Sequence, residues 1–437
     1  MSAATPPVTF RGDLPYIECE RRTLACGLDV IVHRDDTASQ IATSVWYRVG
    51  SSDERADRTG FAHLFEHLFK LPPARLGGHH HYDVLKRAGS TDSNASTGPD
   101  RTAYHEVLPS HQLALALWIE SGRMGYFSRE FLEPDGEGAH RLSTQQSVVR
   151  AERRQRYEDV PYGAERFAVA AALYPEGHPL RHLTIGKHAD IQAATIADVL
   201  AFYRTWYVPA NATLVIAGAV PADLDAQLER YFGTFPTSAR PPRPVAATPV
   251  VVPQRTELAD PFVTMRRIHR IWPGPAAYAD GEPELDILTT AWTATGTGAL
   301  WRRLVYDAPL AQRVSAWTSS TRLGGEVHVA VDLRTGADPA TVAAILDEEC
   351  ARGIDQAAID RVVTRRDART LWSLSGLTRR AGLLQRYALY DSPTIPDLAS
   401  DVLRYQAVTP GAIDRVRAAT ITNERMVEVV TLPAAAR

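Results

Sequence analysis

The stretch His63-Leu64-Phe65-Glu66-His67 narrows what this chain can become more than any other. On an α-helix, residues i and i+4 lie one above the other on one face, with i+3 beside them. A helix through this pentapeptide offers two imidazoles to a single metal ion. It also sets the Glu66 carboxylate one turn from His63, where it can hold and deprotonate a water. The flanks suit a buried helix: Gly60-Phe61-Ala62 leads in, Leu64, Phe65, Leu68 and Phe69 are apolar, and Pro72-Pro73 stop it. Two histidines at helical spacing also occur in ordinary amphipathic helices, so a satisfied histidine pair is the plain alternative. A catalytic metal site needs a third protein ligand and an open position, so the question is whether a third ligand follows downstream.

The segment from Gln145 to Gly163 reads as a polar helix ending at Pro161-Tyr162-Gly163, with Glu152 inside it. Between it and the histidine pair runs Asp92-Ser93-Asn94-Ala95-Ser96-Thr97-Gly98-Pro99-Asp100-Arg101-Thr102-Ala103-Tyr104. In this order the three segments resemble the pitrilysin/insulinase family of inverzincin metallopeptidases, in particular the bacterial members akin to the mitochondrial processing peptidases. H-x-x-E-H is the family's metal motif. Val148-Val149 through Glu152 to Pro161-Tyr162-Gly163 is similar to V-V-x-x-E followed by P-Y-G. Residues 92–104 are similar to the strand pair G-G-x-x-N-A-x-T-x-x-D-x-T-x-Y, with Ser90 and Thr91 standing where the glycines usually fall.

The resemblance implies Zn2+ held by His63, His67 and Glu152, and Glu66 as the catalytic base. Zinc lowers the pKa of a bound water from about 15.7 toward about 7 and polarises a scissile carbonyl. Glu66 would take the water's proton and return it to the leaving amine. Asn94 and Ala95 fall on positions that contact the substrate backbone, although Asn94 by residue type alone reads equally as a turn residue. An extended peptide would add to a sheet edge in the catalytic half.

A chain of 437 residues is long for one core. A Pro-rich stretch near the middle, including Pro241-Pro242-Arg243-Pro244, suggests a linker at 236–254 between a zinc-bearing half, 1–235, and a second half, 255–437. Each half begins with strands and continues with helices, which is an α+β pattern. Cys26–His33 and Ile41–Gly50 read as a β-hairpin, and Val263–Ile268 and Val327–Leu333 as strands. Asp338–Cys350 and Gln356–Leu374 read as helices, the first opening with Asp338 as cap and Pro339 at its first position. Self-similarity between the halves is too weak to read from the residues. The resemblance implies two similar halves closed like a clam shell around a peptide chamber.

Composition excludes several classes. A formal net charge of −3 gives no reason to expect nucleic acid or an anionic membrane as partner. Nothing approaches the ~18 consecutive apolar residues of a membrane-spanning helix, and residues 1–13 show no basic and apolar leader pattern. The sparse, odd set Cys19, Cys26 and Cys350 argues against a disulfide framework and fits a reducing, cytoplasmic setting. The run Gly77-Gly78-His79-His80-His81 reads as an exposed loop, because three consecutive imidazoles cannot face one ion from a regular element. Trp301-Arg302-Arg303 and Arg361–Arg369 read as solvated helix faces.

Two positions depart from the family pattern. Gln145 stands where a second carboxylate often lies, seven residues before Glu152. Val305 and Gln312 stand where self-sufficient members carry an Arg and a Tyr that steady the substrate carbonyl and the oxyanion. Loss of such donors typically costs about 10²–10³ in rate. In two-subunit members one chain has the zinc motif and the other supplies Arg and Tyr. The expectation is therefore a zinc-dependent endopeptidase subunit acting on unfolded peptides with a homologous partner in a heterodimer, a homodimer being the variant arrangement. The rival is a non-catalytic core or scaffold subunit of the same fold.

Overall fold

The computed structural model describes residues 8–71, 79–132, 138–246, 249–390 and 397–434. The expected helix stop at Pro72-Pro73 and the glycines Gly77-Gly78 lie outside the described residues. Strands and helices are mixed throughout, so the fold is α+β. The chain forms two compact units, each assembled from three stretches.

The first unit comprises Met1–Ala151, Thr184–Pro244 and Thr370–Ser400. A short hairpin of β1 (Thr9–Arg11) and β2 (Leu14–Tyr16) stands apart from the main sheet. Among the described residues that sheet has six strands, in the order β3 (Glu20–Thr23), β4 (Asp29–Arg34), β8 (Ala212–Gly218), β5 (Gln40–Tyr47), β7 (Thr102–Pro109), β6 (Asp92–Thr97). The expected hairpin of Cys26–His33 with Ile41–Gly50 is not formed. Both segments become strands, but β8 lies between them, parallel to β4 and antiparallel to β5. Every residue of β8 is buried. A strand apolar on both faces needs a central seat, and that need overrides the pairing of sequence neighbours.

The second unit comprises Glu152–Leu183, Val245–Arg369 and Asp401–Arg437. Its five-stranded sheet runs β11 (Ala311–Thr321), β12 (Gly324–Leu333), β10 (Arg267–Gly274), β13 (Val427–Pro433), β9 (Gln254–Asp260). The strand expected at Val263–Ile268 begins only at Arg267. Before it, the Asp260 carboxylate accepts the N–H of Phe262 at 2.8 Å and of Tyr162 at 2.9 Å, which makes a turn there.

The two sheets share one topology that the sequence did not reveal. In each, an outer antiparallel pair (β6–β7, β11–β12) joins a long strand (β5, β10). Next comes an antiparallel strand from well beyond the outer pair in sequence (β8, β13), and then a parallel partner (β4, β9). One helix follows the long strand in each unit: α1 (Phe61–Leu68) after β5 and α4 (Glu282–Thr293) after β10. A further helix packs on the central strands: α5 (Leu377–Tyr390) on β8 and β5, and α3 (Glu165–Leu173) on β13 and β10. Sequence order would assign each of these two helices to the other half.

The expected helices in the second half are present, as Pro339–Cys350 and Gln356–Ser373. Asp338 caps the first by accepting the N–H of Ala340 and Thr341. In the Pro-rich stretch, Arg243 makes a two-pronged ion pair with the buried Asp53, at 2.9 and 2.7 Å, so its first part is tied to the first unit. Arg361, Arg365 and Arg369 are exposed as expected. Arg366 is not: it lies 2.8 Å from Asp401 and over the Tyr405 ring. Among the described residues no helix is long and apolar enough to cross a membrane.

Candidate metal centre

The start of α1 is fixed by its backbone. Gly60, the residue before the helix, has φ of +87°, a conformation that disfavours any side chain. A Cβ there would meet Ile191 Cδ1 at 2.5 Å and Gly186 Cα at 3.0 Å. The Glu54 carboxylate accepts the N–H of Gly60 and of Ala62, each at 2.7 Å. It satisfies two otherwise orphaned donors and puts negative charge at the positive end of the helix. The apolar face, Phe61, Leu64, Phe65 and Leu68, is buried. Phe65 and Phe69 pack among Tyr47, Tyr104, Phe127, Tyr203 and Tyr207, with the Phe65 and Tyr207 rings stacked at 4.8 Å between centroids. That packing locks the rotation of the helix and so the direction of its polar face.

His63 and His67 share that polar face, their ring centroids 4.8 Å apart. Glu152 sits in the last turn of α2 (Gly138–Arg153). The division between units falls inside this helix, after Ala151. One ligand atom from each of His63, His67 and Glu152 lies within 4.8 Å of the other two. Among the described residues no other group of three or more His, Cys, Asp or Glu side chains meets that condition. All three are half-buried, and Arg156 pairs with Glu152 at 3.2 Å from one turn on. Two imidazoles and one carboxylate converging on a point fit a zinc site with an open position.

Glu66, on the same helix, is buried yet held as an anion. Its Oε1 accepts from Lys70 Nζ at 2.6 Å, its Oε2 accepts from the Thr97 hydroxyl at 2.7 Å, and His63 Nδ1 lies 3.5 Å from Oε2. Burial acts to raise the carboxyl's pKa. His63, the charge of Lys70 and the Thr97 hydroxyl outweigh it and hold the group at about 2. Lys70 and Thr97 were not singled out from sequence. The Glu66-to-Lys70 spacing of i, i+4 was the available signal for the first. Thr97 reaches Glu66 only through folding of the sheet.

Asn94 and Ala95 lie on β6, which pairs only with β7 among the described residues. Asn94 is exposed, and its Oδ1 accepts the neighbouring Ala95 N–H at 2.8 Å; the Ala95 side chain is buried. Neither is an isolated turn residue. Both belong to an edge strand with one row of backbone groups available to an added strand. Of the histidine run, His79 and His80 are exposed, but His81 is buried at the start of the helix His81–Arg87. The loop reading therefore fails for His81, whose ring joins the first unit's interior. Gln145 is half-buried two turns before Glu152. Val305 packs against the second unit's core, while Gln312 is exposed near the start of β11. Cys19, Cys26 and Cys350 are all free thiols.

Comparison with known families matches residues 29–124 to the model described as insulinase (peptidase family M16) and residues 193–365 to the peptidase M16 inactive domain. A zinc protease, PqqE, of Helicobacter pylori is 33% identical over 207 residues, covering 46% of this chain and 43% of that protein. The mitochondrial-processing peptidase subunit beta of Blastocladiella emersonii is 26% identical over 215 residues, covering 48% of this chain and 43% of that protein. The chain thus spans less than half the length of these curated relatives. A crystal structure of a protease from Helicobacter pylori superposes with a TM-score of 0.84 at 22% identity, over 96% of this chain and 100% of that one, which establishes the likeness of fold.

Proposed function

From the premise that this chain belongs to the M16, insulinase-type peptidase family, we propose that it is a zinc-dependent endopeptidase subunit cleaving unfolded peptides. The observation that carries the reading is the convergence of His63, His67 and Glu152 beside an ionised, buried Glu66. His63, His67 and Glu152 would hold Zn2+, which supplies Lewis acidity toward the scissile carbonyl and makes a water acidic near neutral pH.

The chain's own residues supply the rest. An extended substrate adds to the free edge of β6, beside Asn94 and the backbone of Ala95, which sets its register by main-chain hydrogen bonds. α1 packs against β6, so the strand that would bind the peptide lies directly beside the helix that carries Glu66. Glu66 accepts the proton of the attacking water and passes it to the nitrogen of the leaving strand. Lys70 and Thr97 fix the carboxylate and keep it ionised before each cycle.

No Arg/Tyr pair occupies 305 and 312 in this chain. A homologous partner subunit is the source of oxyanion donors in this reading, and a homodimer is the other arrangement. Three free cysteines support a reducing, cytoplasmic location. The absent pair and the match to an inactive domain also favour a second reading, a non-catalytic core subunit.

Hydrolysis of a quenched mixed-peptide library by the zinc-loaded chain, with Glu66→Gln as control, separates the two. Cleavage by the wild type but not by the variant supports the peptidase. Zinc binding without cleavage, even beside a co-expressed subunit bearing Arg and Tyr, would favour the core subunit.

A further inference from the structure

The second unit holds an unbroken chain of titratable side chains, buried except for the half-buried Glu326 at one end. Glu165 opens α3, and its Oε1 is hydrogen-bonded to His269 Nδ1 on β10. His269 Nε2 lies 3.1 Å from His328 Nδ1 on β12. His328 Nε2 lies 2.9 Å from Glu326 Oε2. At the ends, the Thr431 hydroxyl on β13 donates to Glu165 Oε2 at 2.8 Å, and the Tyr174 hydroxyl donates to Glu326 Oε1 at 2.9 Å. Trp317 on β11 lies flat on the His328 ring, centroids 4.6 Å apart. The other charged groups facing the chain are Arg267, 3.9 Å from Glu165 Oε1, and Asp332, to which Arg267 is paired at 2.6 Å. Arg267 also lies over the Tyr162 ring.

Three hydrogen bonds link the two carboxylates and the two imidazoles, and each needs one proton. Two ionised carboxylates and two neutral imidazoles supply only two. A third would close the chain, with one positive charge shared by two rings between two anions. With a fourth proton, His269 Nε2 and His328 Nδ1 would both carry hydrogen and face each other. With two, one junction would hold only lone pairs. Burial is the largest influence on His269 and outweighs the Glu165 hydrogen bond to leave its pKa lowered, so burial opposes charge on this ring while the three contacts favour it. Burial also acts to raise Glu165 and Glu326, but their bonds to His269 and His328 hold both below the usual carboxylate range.

We propose that this chain holds one proton in excess of two neutral histidines, and that in this form His269 and Glu165 are positioning residues for the third metal ligand. The segment Glu152–Leu183 belongs to the second unit. Glu165 is where its helix is bonded to β10, thirteen positions after Glu152. Between them, Tyr162 is held by its N–H to the Asp260 carboxylate and by its hydroxyl to the Met265 carbonyl, each at 2.9 Å. The positioning role rests on the reading of Glu152 as a ligand; the proton count does not. The sign of the pH dependence follows. Stability from the shared proton is present below the pKa at which the folded chain releases it and is lost as pH rises through that value. As pH falls through the unfolded histidine value of about 6.5, the unfolded chain takes up protons that the folded pair refuses, and stability falls again.

The test is nitrogen-15-resolved imidazole spectra of the zinc-loaded protein from about pH 5 to about pH 9. The expected result is that His269 Nε2 and His328 Nδ1 shift together, both intermediate between bare and protonated near neutrality. Two rings titrating independently, or both neutral at neutral pH, would overturn the proposal. Zinc affinity by chelator competition is then compared for His269→Gln, Glu165→Gln and Glu152→Gln. Both positioning variants should weaken zinc about tenfold, and Glu152→Gln at least as much. If Glu152→Gln alone weakens it, the positioning role is wrong. If Glu152→Gln has no effect, the ligand reading fails and the positioning role with it, while the spectra still decide the proton count. The Gln substitutions keep hydrogen-bonding side chains, and amide exchange along β10 and β12 reports whether the sheet is intact.

Discussion

The two units carry the same strand order, yet they use the same helix position in opposite ways. After β5, α1 turns half-buried His63 and His67 and the buried Glu66 to one side and packs its apolar residues on the other. After β10, α4 buries Leu285, Ile287, Leu288, Thr289, Ala291 and Trp292 and has no metal ligand. The packed helix on each central sheet carries buried polar contacts to the strands beside its apolar ones. Arg380 on α5 pairs with the buried Asp35 at 2.8 Å, and Gln385 donates to the carbonyls of Ser44 and Thr213. On α3, Glu165 does the corresponding work against His269 and Thr431. The scaffold is thus common to both units, while the histidine pair and Glu66 belong to the first alone. A single face of a single helix separates a candidate metal site from a core.

If that contrast is right, Glu66→Gln should leave zinc bound and lower peptide turnover by about 10³-fold or more, read from kcat with zinc content measured in parallel. Any substitution of comparable weight in α4 should act on stability alone. A smaller but still large effect is expected from Lys70→Met, which removes the cation at 2.6 Å from Glu66. The kcat should fall about tenfold with zinc retained; an unchanged kcat would mean that Lys70 does not hold the base. Gly60→Ala would force a side chain into a left-handed turn against Ile191 and Gly186. A loss of about 1–3 kcal/mol is expected in denaturant unfolding, felt in the first unit.

The second unit offers the matching test. Val305→Arg should destabilise by about 1–3 kcal/mol, because the valine packs against the core. Gln312→Tyr, at an exposed position, should leave unfolding unchanged. The smallest expected effect concerns pH. Glu106 is fully buried beside Glu120 and Arg123, and its burial, reinforced by the Glu120 charge, pushes its pKa up to about 8 from 4.5. Its stabilising contribution is full below about pH 4.5 and is lost as pH rises through about 8. Glu106→Gln should therefore flatten the fall of Tm between about pH 4.5 and about pH 8 by several degrees.

What the sequence disclosed follows from the range of each interaction. The histidine pair and Glu66 are a matter of helical spacing over five residues, and the apolar residues around them already declare the buried face. Helix caps such as Asp338 are equally local. Glu152 was visible only by resemblance, since no spacing rule links it to His67. The expected β4–β5 hairpin does not form because β8, some 165 residues beyond β5, takes the seat between them. The exchange of α3 and α5 was hidden for the same reason. The repeated topology was hidden because strand order tolerates nearly any sequence that keeps its burial pattern. Val305 illustrates the limit from the other side: the departure from the family pattern was plain in the sequence, but that the side chain serves the core was not.

X-ray absorption spectroscopy of the zinc-loaded chain, with metal stoichiometry measured on the same sample, tests the metal centre most directly. One zinc per chain, with two imidazole nitrogens and carboxylate oxygen in its shell and lost on substituting Glu152 with Ala, is the result this account requires. A sulfur shell, or a zinc that survives Glu152→Ala unchanged, would contradict it.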